Sequence, residues 1–259
     1  MIDILFVIGI CVFASFVSVF GMLFVRQKIG HAELAKHNDV AGFIHAIIGT
    51  IYAVLLAFVV VVEWEIYRDT ESKVEVEVGA MASIFRDSRV FSDLKKRTLI
   101  QQELMAYATT VIEEEWPLLA KEQSSEKALG QIHQIFNYVA DLKPKNDYEK
   151  LWYQELITKV NKFSDARNER ILCCTQGIPA FMWWIMILGG MITISFSFLF
   201  GTVNKIPYAL MVASLSCIIT LVLLLIYALD HPLKGIIFVK PDAFIEVIKH
   251  WRLYLSKGY

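Results

Sequence analysis

The residues best placed to do chemistry in this chain form a stripe through one of its apolar stretches. Polar residues stand toward its two ends and aliphatic residues lie between them, in the order Gly42, His45, Gly49, Tyr52, Leu56, Val59 and Glu63. Spacings of three and four residues put all of them on one face of a helix. Such a face has the chemistry of an ion pathway, because aliphatic constrictions gate by dewetting and carboxylate rings select ions by charge.

Copies of this helix around an axis would place His45 and Tyr52 in an outer vestibule. Leu56 and Val59 would then form a dry constriction. Glu63 would ring the cytoplasmic mouth, where carboxylates concentrate cations and repel anions, so this interpretation favours cation passage. The alternative is structural: His45 and Tyr52 hydrogen-bond within one subunit, and Glu63 lies at the membrane interface beside a tryptophan anchor.

A neighbouring stripe of the same stretch consists of small residues, namely Ala46, Thr50, Ala53 and Ala57. Small side chains let two membrane helices approach closely. This second stripe therefore predicts a close contact with another helix.

Signatures of other chemistries are absent from the sequence. It has no phosphate-binding loop, no paired metal-ligand motif and no nucleophile elbow, so we predict no enzyme activity, no catalytic residue, no metal site and no cofactor. The adjacent Cys173 and Cys174 lack the spacing of zinc ligands. The run of Glu113, Glu114 and Glu115 points around a helix, which predicts a solvated face.

The stripe lies in the second of four apolar stretches, which cover residues 4–25, 41–62, 179–201 and 207–229. A hydrocarbon core about 30 Å thick needs roughly 20 residues of helix, and each stretch is that long. The central parts of the first, third and fourth stretches hold no Asp, Glu, Lys, Arg or His, which disfavours pumps and coupled transporters. The pattern predicts an all-α membrane protein with two transmembrane pairs, in residues 1–64 and 176–229.

Between the two pairs, residues 65–175 hold most of the charge and are predicted to form an antiparallel cytoplasmic helical bundle. Its first helix continues the second transmembrane helix, its second stops at Pro117, and its third starts near Ser124 or Ser125. Glu77 and Arg170 lie on the two segments that extend membrane helices into this domain. They are predicted to form an ion pair that fixes the angle of the bundle.

Residues 230–259 begin with a turn and end in an amphipathic helix. Phe244, Ile248 and Trp251 share one of its faces. That face suits either the membrane interface or the surface of the bundle.

Basic residues near the membrane ends favour one orientation. Eight lie on the side of the termini and the middle domain, against four on the other side. By the positive-inside rule, Met1, Tyr259 and the middle domain are predicted in the cytoplasm. The middle domain has 16 Lys and Arg against 19 Asp and Glu, a net charge of −3, which argues against nucleic acid as a partner.

Several of these runs together resemble a known family. They are residues 49–65, 77–80, 166–170 with Pro179 and a following tryptophan, and the turn at residues 227–235, which contains Asp230 and Pro232. The chain resembles the bestrophin-like family of membrane proteins, although His231 and Leu233 stand where relatives tend to carry Arg and Phe.

The resemblance implies four membrane helices with a cytoplasmic helical part. By analogy with bestrophins it also implies a homo-oligomeric ion channel of four or five subunits in a lipid bilayer, with inorganic ions as its cargo and a bacterial inner membrane as its location. The other function class left open is a membrane-anchored scaffold or sensor whose bundle binds a cytoplasmic partner.

Overall fold

The structure is a computed structural model that describes residues 4–175, 177–233 and 237–256. The described residues contain helices, turns and loops but no β-strand, so the predicted all-helical class is confirmed. Two compact units are present. The apolar unit comprises the chain up to Glu65 and Gly177–Asp230, and the polar unit comprises the helices from Ile66 onward together with the C-terminal helix.

Five helical segments build the apolar unit, four of them long and apolar enough to cross a membrane. They are α1 (Ile4–Ile29), the short α2 (His31–Ala35), the first part of α3 (Asn38–Asp87), α8 (Ala180–Ser197) and α9 (Lys205–Leu229). α2 was not predicted from the sequence. Gly30 separates it from α1 with a φ of 82°, a conformation that glycine adopts without steric cost.

Contacts between α1 and α9 run along both helices. Ser18 donates a hydrogen bond to Ser216 over 2.9 Å, and Met22 is fully buried with Tyr208 and Val212. A hydroxyl pair of this kind holds two helices together where water is absent.

The polar unit is a set of helices around one hydrophobic core. It comprises the rest of α3, a 3₁₀ turn (Ser88–Val90), α4 (Leu94–Thr110), a π-turn (Val111–Glu115), α5 (Trp116–Leu119), α6 (Glu126–Ala140), α7 (Asp147–Thr175) and α10 (Asp242–Ser256). Asp93 caps α4 by accepting the Lys96 N–H, and Ser125 caps α6 by accepting the Ala128 N–H.

The helix that was predicted to stop at Pro117 does not stop there. α4 leads through the π-turn into α5, and Pro117 lies in the first turn of α5. A proline is tolerated at that position, because the first N–H groups of a helix need no intrahelical partner. The π-turn therefore carries the chain past the proline.

The apolar face of α10 packs into this unit rather than lying free. Phe244, Ile248 and Trp251 are buried in the core, and the Trp251 ring stacks on Phe85 with 4.3 Å between ring centroids. Of the two environments expected for that face, the structure has the bundle surface. The predicted turn ends at Lys234 and Gly235, which lie outside the described residues.

Candidate functional site

The stripe that was predicted to line a pore lies largely inside its own chain. Tyr52, Leu56 and Val59 are buried in a cluster with residues of α8 and α9, including Met186. The Tyr52 hydroxyl donates a hydrogen bond to the Met186 carbonyl over 2.9 Å. This is the intrasubunit hydrogen bond of the structural alternative, and it leaves these side chains covered rather than facing water.

At the other end of the stripe, His45 is enclosed by aromatic rings. It stacks on Phe196 with 5.7 Å between centroids and meets Phe200 edge-on at 5.6 Å. Gly42 also faces the Phe200 ring, whereas Gly49 has open space beside it. Of these three residues, only Gly49 is thus free of neighbouring side chains from its own chain.

Glu63 does not have the setting expected of a carboxylate ring at an open mouth. Its side chain is only 5% exposed, and it lies close enough to Asp230 for the two charges to interact. Asp230 in turn accepts hydrogen bonds from the Ile178 N–H over 2.6 Å and from the Trp183 indole N–H over 3.3 Å. In the single chain, therefore, the Glu63 carboxylate has little contact with water.

The opposite face of α3 is open in the single chain. Thr50, Val54, Val61 and Glu65 are exposed, as are the small residues Ala46, Ala53 and Ala57. Within the described residues no other helix covers this face. It is available to lipid or to a second copy of the chain.

In the polar unit the structure brings Glu77 and Arg170 into contact, on α3 and α7. The Arg170 Nε donates to Glu77 Oε2 over 2.5 Å, and both side chains are fully buried. The guanidinium also donates through Nη2 to Glu115 over 2.7 Å. Arg167 and Tyr107 complete the set: Arg167 donates to Glu115, and the Tyr107 hydroxyl donates to Glu77 over 2.5 Å.

These five side chains, called the buried network below, balance two carboxylates with two guanidiniums. Aromatic faces cover part of Arg170, whose guanidinium carbon lies 5.3 Å from the centroid of Trp116 and 5.8 Å from that of Phe244. Cation–π attraction is strongest for desolvated cations such as this one. Charge, hydrogen bonds and ring faces thus satisfy most of the network, while Arg170 Nη1 and Arg167 Nε are buried without a hydrogen-bond partner among the described residues.

Burial and charge act against each other on the pKa values of the network. Burial would lower the pKa of Arg170, but Glu77, Tyr107 and Glu115 raise it well above its usual value. Burial would raise the pKa of Glu115, but Arg170 and Arg167 lower it overall. Burial raises the pKa of Tyr107 well above its usual value, with a further contribution from Glu77. The phenol therefore stays protonated, and its O–H donates a hydrogen bond to Glu77.

Three members of the network were not predicted from the sequence. The run containing Glu115 was expected to be solvated, yet the Glu115 side chain is fully buried. A usable signal was present: Tyr107, Val111 and Glu115 stand four residues apart, so Glu115 continues the buried stripe of α4. Glu113 in the same run is exposed, as predicted.

No group of His, Cys, Asp and Glu side chains in the described parts of the chain could hold a metal ion. The adjacent Cys173 and Cys174 are free thiols. The Cys173 sulfur lies 3.6 Å from an Asp69 carboxylate oxygen.

Known structures share this fold. A variant of a bacterial bestrophin homolog from Klebsiella pneumoniae matches with a TM-score of 0.75 and 13% identity, over 97% of this chain and 98% of that chain. A second variant of the homolog matches with a TM-score of 0.74 and 12% identity, over 96% of this chain and 99% of that chain. A third structure of the homolog, phased on zinc, matches with a TM-score of 0.72 and 12% identity over the same shares.

No curated protein matches the chain. The model of the Bestrophin-like domain, however, matches residues 12–244, which is well over half of the sequence. The helical membrane fold and the resemblance of the sequence motifs agree with that match. The chain therefore belongs to the Bestrophin-like family.

Proposed function

We propose that this chain forms a passive homo-oligomeric ion channel of four or five subunits, with α3 lining the pore. The observation that carries the proposal is the open face of α3. It runs through the apolar unit and is covered by no other helix of the described chain. Family membership supports an ion channel. The alternative is a membrane-anchored scaffold or sensor, and conductance measurements distinguish the two.

The face of α3 proposed to line the pore is not the stripe around Tyr52. Side chains that already pack on α8 and α9 would have to leave that packing to meet ions. The open face offers Thr50, Val54 and Val61 as exposed residues within the apolar part of α3. Its aliphatic side chains suit a dewetting constriction, and its alanines let helices from several subunits approach one axis.

The proposed orientation places both termini and the polar unit in the cytoplasm of a bacterial cell, across its inner membrane. The excess of Lys and Arg near the ends of the apolar stretches on that side supports it.

We expect a membrane-impermeant maleimide applied to intact cells to label His37→Cys and to spare Lys121→Cys. Both positions are exposed in their own units, so burial does not decide the outcome. Labelling after permeabilisation is the control, and it should reach both positions. The reverse pattern would overturn the orientation.

For selectivity we propose cation passage, with Glu65 as the carboxylate that acts. Glu65 is exposed on the open face, whereas Glu63, two residues earlier, is buried. Two neighbouring carboxylates with opposite exposure make a matched pair of variants. Each loses one negative charge per subunit when replaced by glutamine.

The reversal potential of the purified protein in planar bilayers under a salt gradient tests conduction and selectivity together. Glu65→Gln should lower the ratio of cation to anion permeability several-fold, because it removes a ring of charge from the pathway. Glu63→Gln should change that ratio little. Anion selectivity in the natural protein and in both variants would refute the Glu65 proposal, and a monomer without conductance would select the scaffold.

A further inference from the structure

A surface groove of about 540 Å³ opens in the polar unit, and none of its lining residues belongs to the buried network. One wall comes from the end of α4 and the π-turn, and the other from α10. Four of its nine lining residues are aliphatic, namely Ile112 on the first wall and Ile245, Ile248 and Leu253 on the second. Small-molecule pockets measure about 300–1,000 Å³ and are mainly apolar with a few polar groups, so the groove has the dimensions of a ligand site.

The groove stays open because α10 buries only one of its faces. Phe244 and Trp251 on that face are in the core, but Ile245 and Leu253 at the side are 47% and 50% exposed. When an apolar group covers these two exposed aliphatic side chains, their apolar surface is removed from water, which favours binding.

Two cations line the same groove. Lys249 and Arg252 stand three residues apart on α10, and neither has an ion-pair partner in the described parts of the chain. Every buried cation of the network, by contrast, has its carboxylate. A guanidinium and an ammonium side by side present the donors that a carboxylate accepts, in part through the bidentate fork of arginine.

We propose that this groove binds an amphiphilic monoanion, an unbranched alkyl carboxylate of the fatty-acid class. Its carboxylate lies on Lys249 and Arg252, and its alkyl chain lies along Ile112, Ile245 and Leu253. Glu113 on the facing wall repels a second negative charge, so a ligand with one charge is preferred over a dianion.

Simple probes should bind the groove in a definite order of affinity. Each buried methylene strengthens binding by about fourfold, so decanoate binds more tightly than hexanoate. Decanol has the same chain length as decanoate but no charge, and it binds more weakly than decanoate. The order decanoate, then decanol and hexanoate, separates a site for amphiphilic anions from plain hydrophobic adsorption.

The test uses the full-length protein in lipid nanodiscs, with decanoate as the probe. Leu253→Cys is introduced, and its labelling by a charged maleimide is followed by peptide mass mapping. Decanoate should protect position 253. When Lys249→Gln and Arg252→Gln are combined with Leu253→Cys, the decanoate concentration that gives half-maximal protection should rise at least tenfold.

A matched control removes the same charge elsewhere, by Lys95→Gln with Lys162→Gln, both exposed in the polar unit. In this control variant, decanoate should protect position 253 at the same concentration as in Leu253→Cys alone. Decanoate enters the nanodisc lipid equally in all variants, so a difference between variants arises at the groove. Equal protection in both charge-deleted variants, or none in any, would overturn the proposal. A position 253 that resists labelling without decanoate would also overturn it and show a neighbouring subunit on the groove. Conduction is not measured, so failure here leaves the channel proposal standing.

Discussion

Replacing Arg170 by methionine should destabilise the protein by about 3–5 kcal/mol, the largest effect expected of any single side chain in the polar unit. Arg170 is fully buried and bonds to both Glu77 and Glu115, so its removal leaves one negative charge uncompensated in the core. A buried charge without a partner costs far more than the pair contributes when intact. The midpoint of thermal unfolding in detergent, followed by circular dichroism, should fall by about 10 °C or more.

A second substitution should restore part of this loss. Arg170→Met combined with Glu77→Gln leaves Glu115 with Arg167 and returns the network to charge balance. We therefore expect the double variant to unfold at a higher temperature than Arg170→Met alone, although it carries more changes. The gap should persist at high salt, since screening acts weakly on buried charges.

Glu169→Gln is the matched control, because it removes a charge one residue away in an exposed pair. Glu169 is about half exposed and lies 2.8 Å from Lys73. Exposed pairs of this kind are worth about 0–1 kcal/mol, so the unfolding midpoint should barely change. Equal losses for Arg170→Met and Glu169→Gln would show that the buried network has no special role in stability.

The elements that sequence analysis found are those set by length and composition alone. Four long apolar runs needed no partner to be recognised, because the bilayer itself fixes their length. The predicted ends of helices depended instead on capping residues and on proline. Ser125 was found as a cap, while Pro117 was given too much weight, because a π-turn and a new first helical turn accommodate it.

The candidate site was harder to predict, because periodicity shows which residues share a face and not what covers that face. The stripe around Tyr52 and the small stripe around Ala53 both suit a helix contact. The position of α8 decides that the stripe around Tyr52 is the covered one. Gly189 and Gly190 of α8 lie against the Tyr52 ring and hydroxyl. Glu77 and Arg170 were found because both extend membrane helices. Arg167 and Glu115 joined them through contacts between segments more than fifty residues apart.

Contacts between segments far apart in the chain have no periodic signature at all, and Gly201 is the clearest case. The N–H of Gly201 donates to the Asn38 side-chain oxygen over 2.9 Å, and its carbonyl accepts from the Asn38 amide over 2.8 Å. A Cβ on Gly201 would lie 2.1 Å from the Ala35 backbone nitrogen. The loop after α8 approaches the backbone of α2 so closely that only a residue without a side chain fits at position 201.

Gly201→Ala should therefore destabilise the apolar unit by about 3 kcal/mol, at the upper end of the range for overpacking. Backbone atoms of α2 cannot rotate away as a side chain would, so the loop must shift and both hydrogen bonds to Asn38 lengthen. Gly9→Ala is the matched control: a Cβ there has nothing within 4 Å, and alanine is the better helix former, so the unfolding midpoint should hold or rise. An unchanged midpoint in Gly201→Ala would mean that α2 and the loop after α8 do not pack as the structure has them.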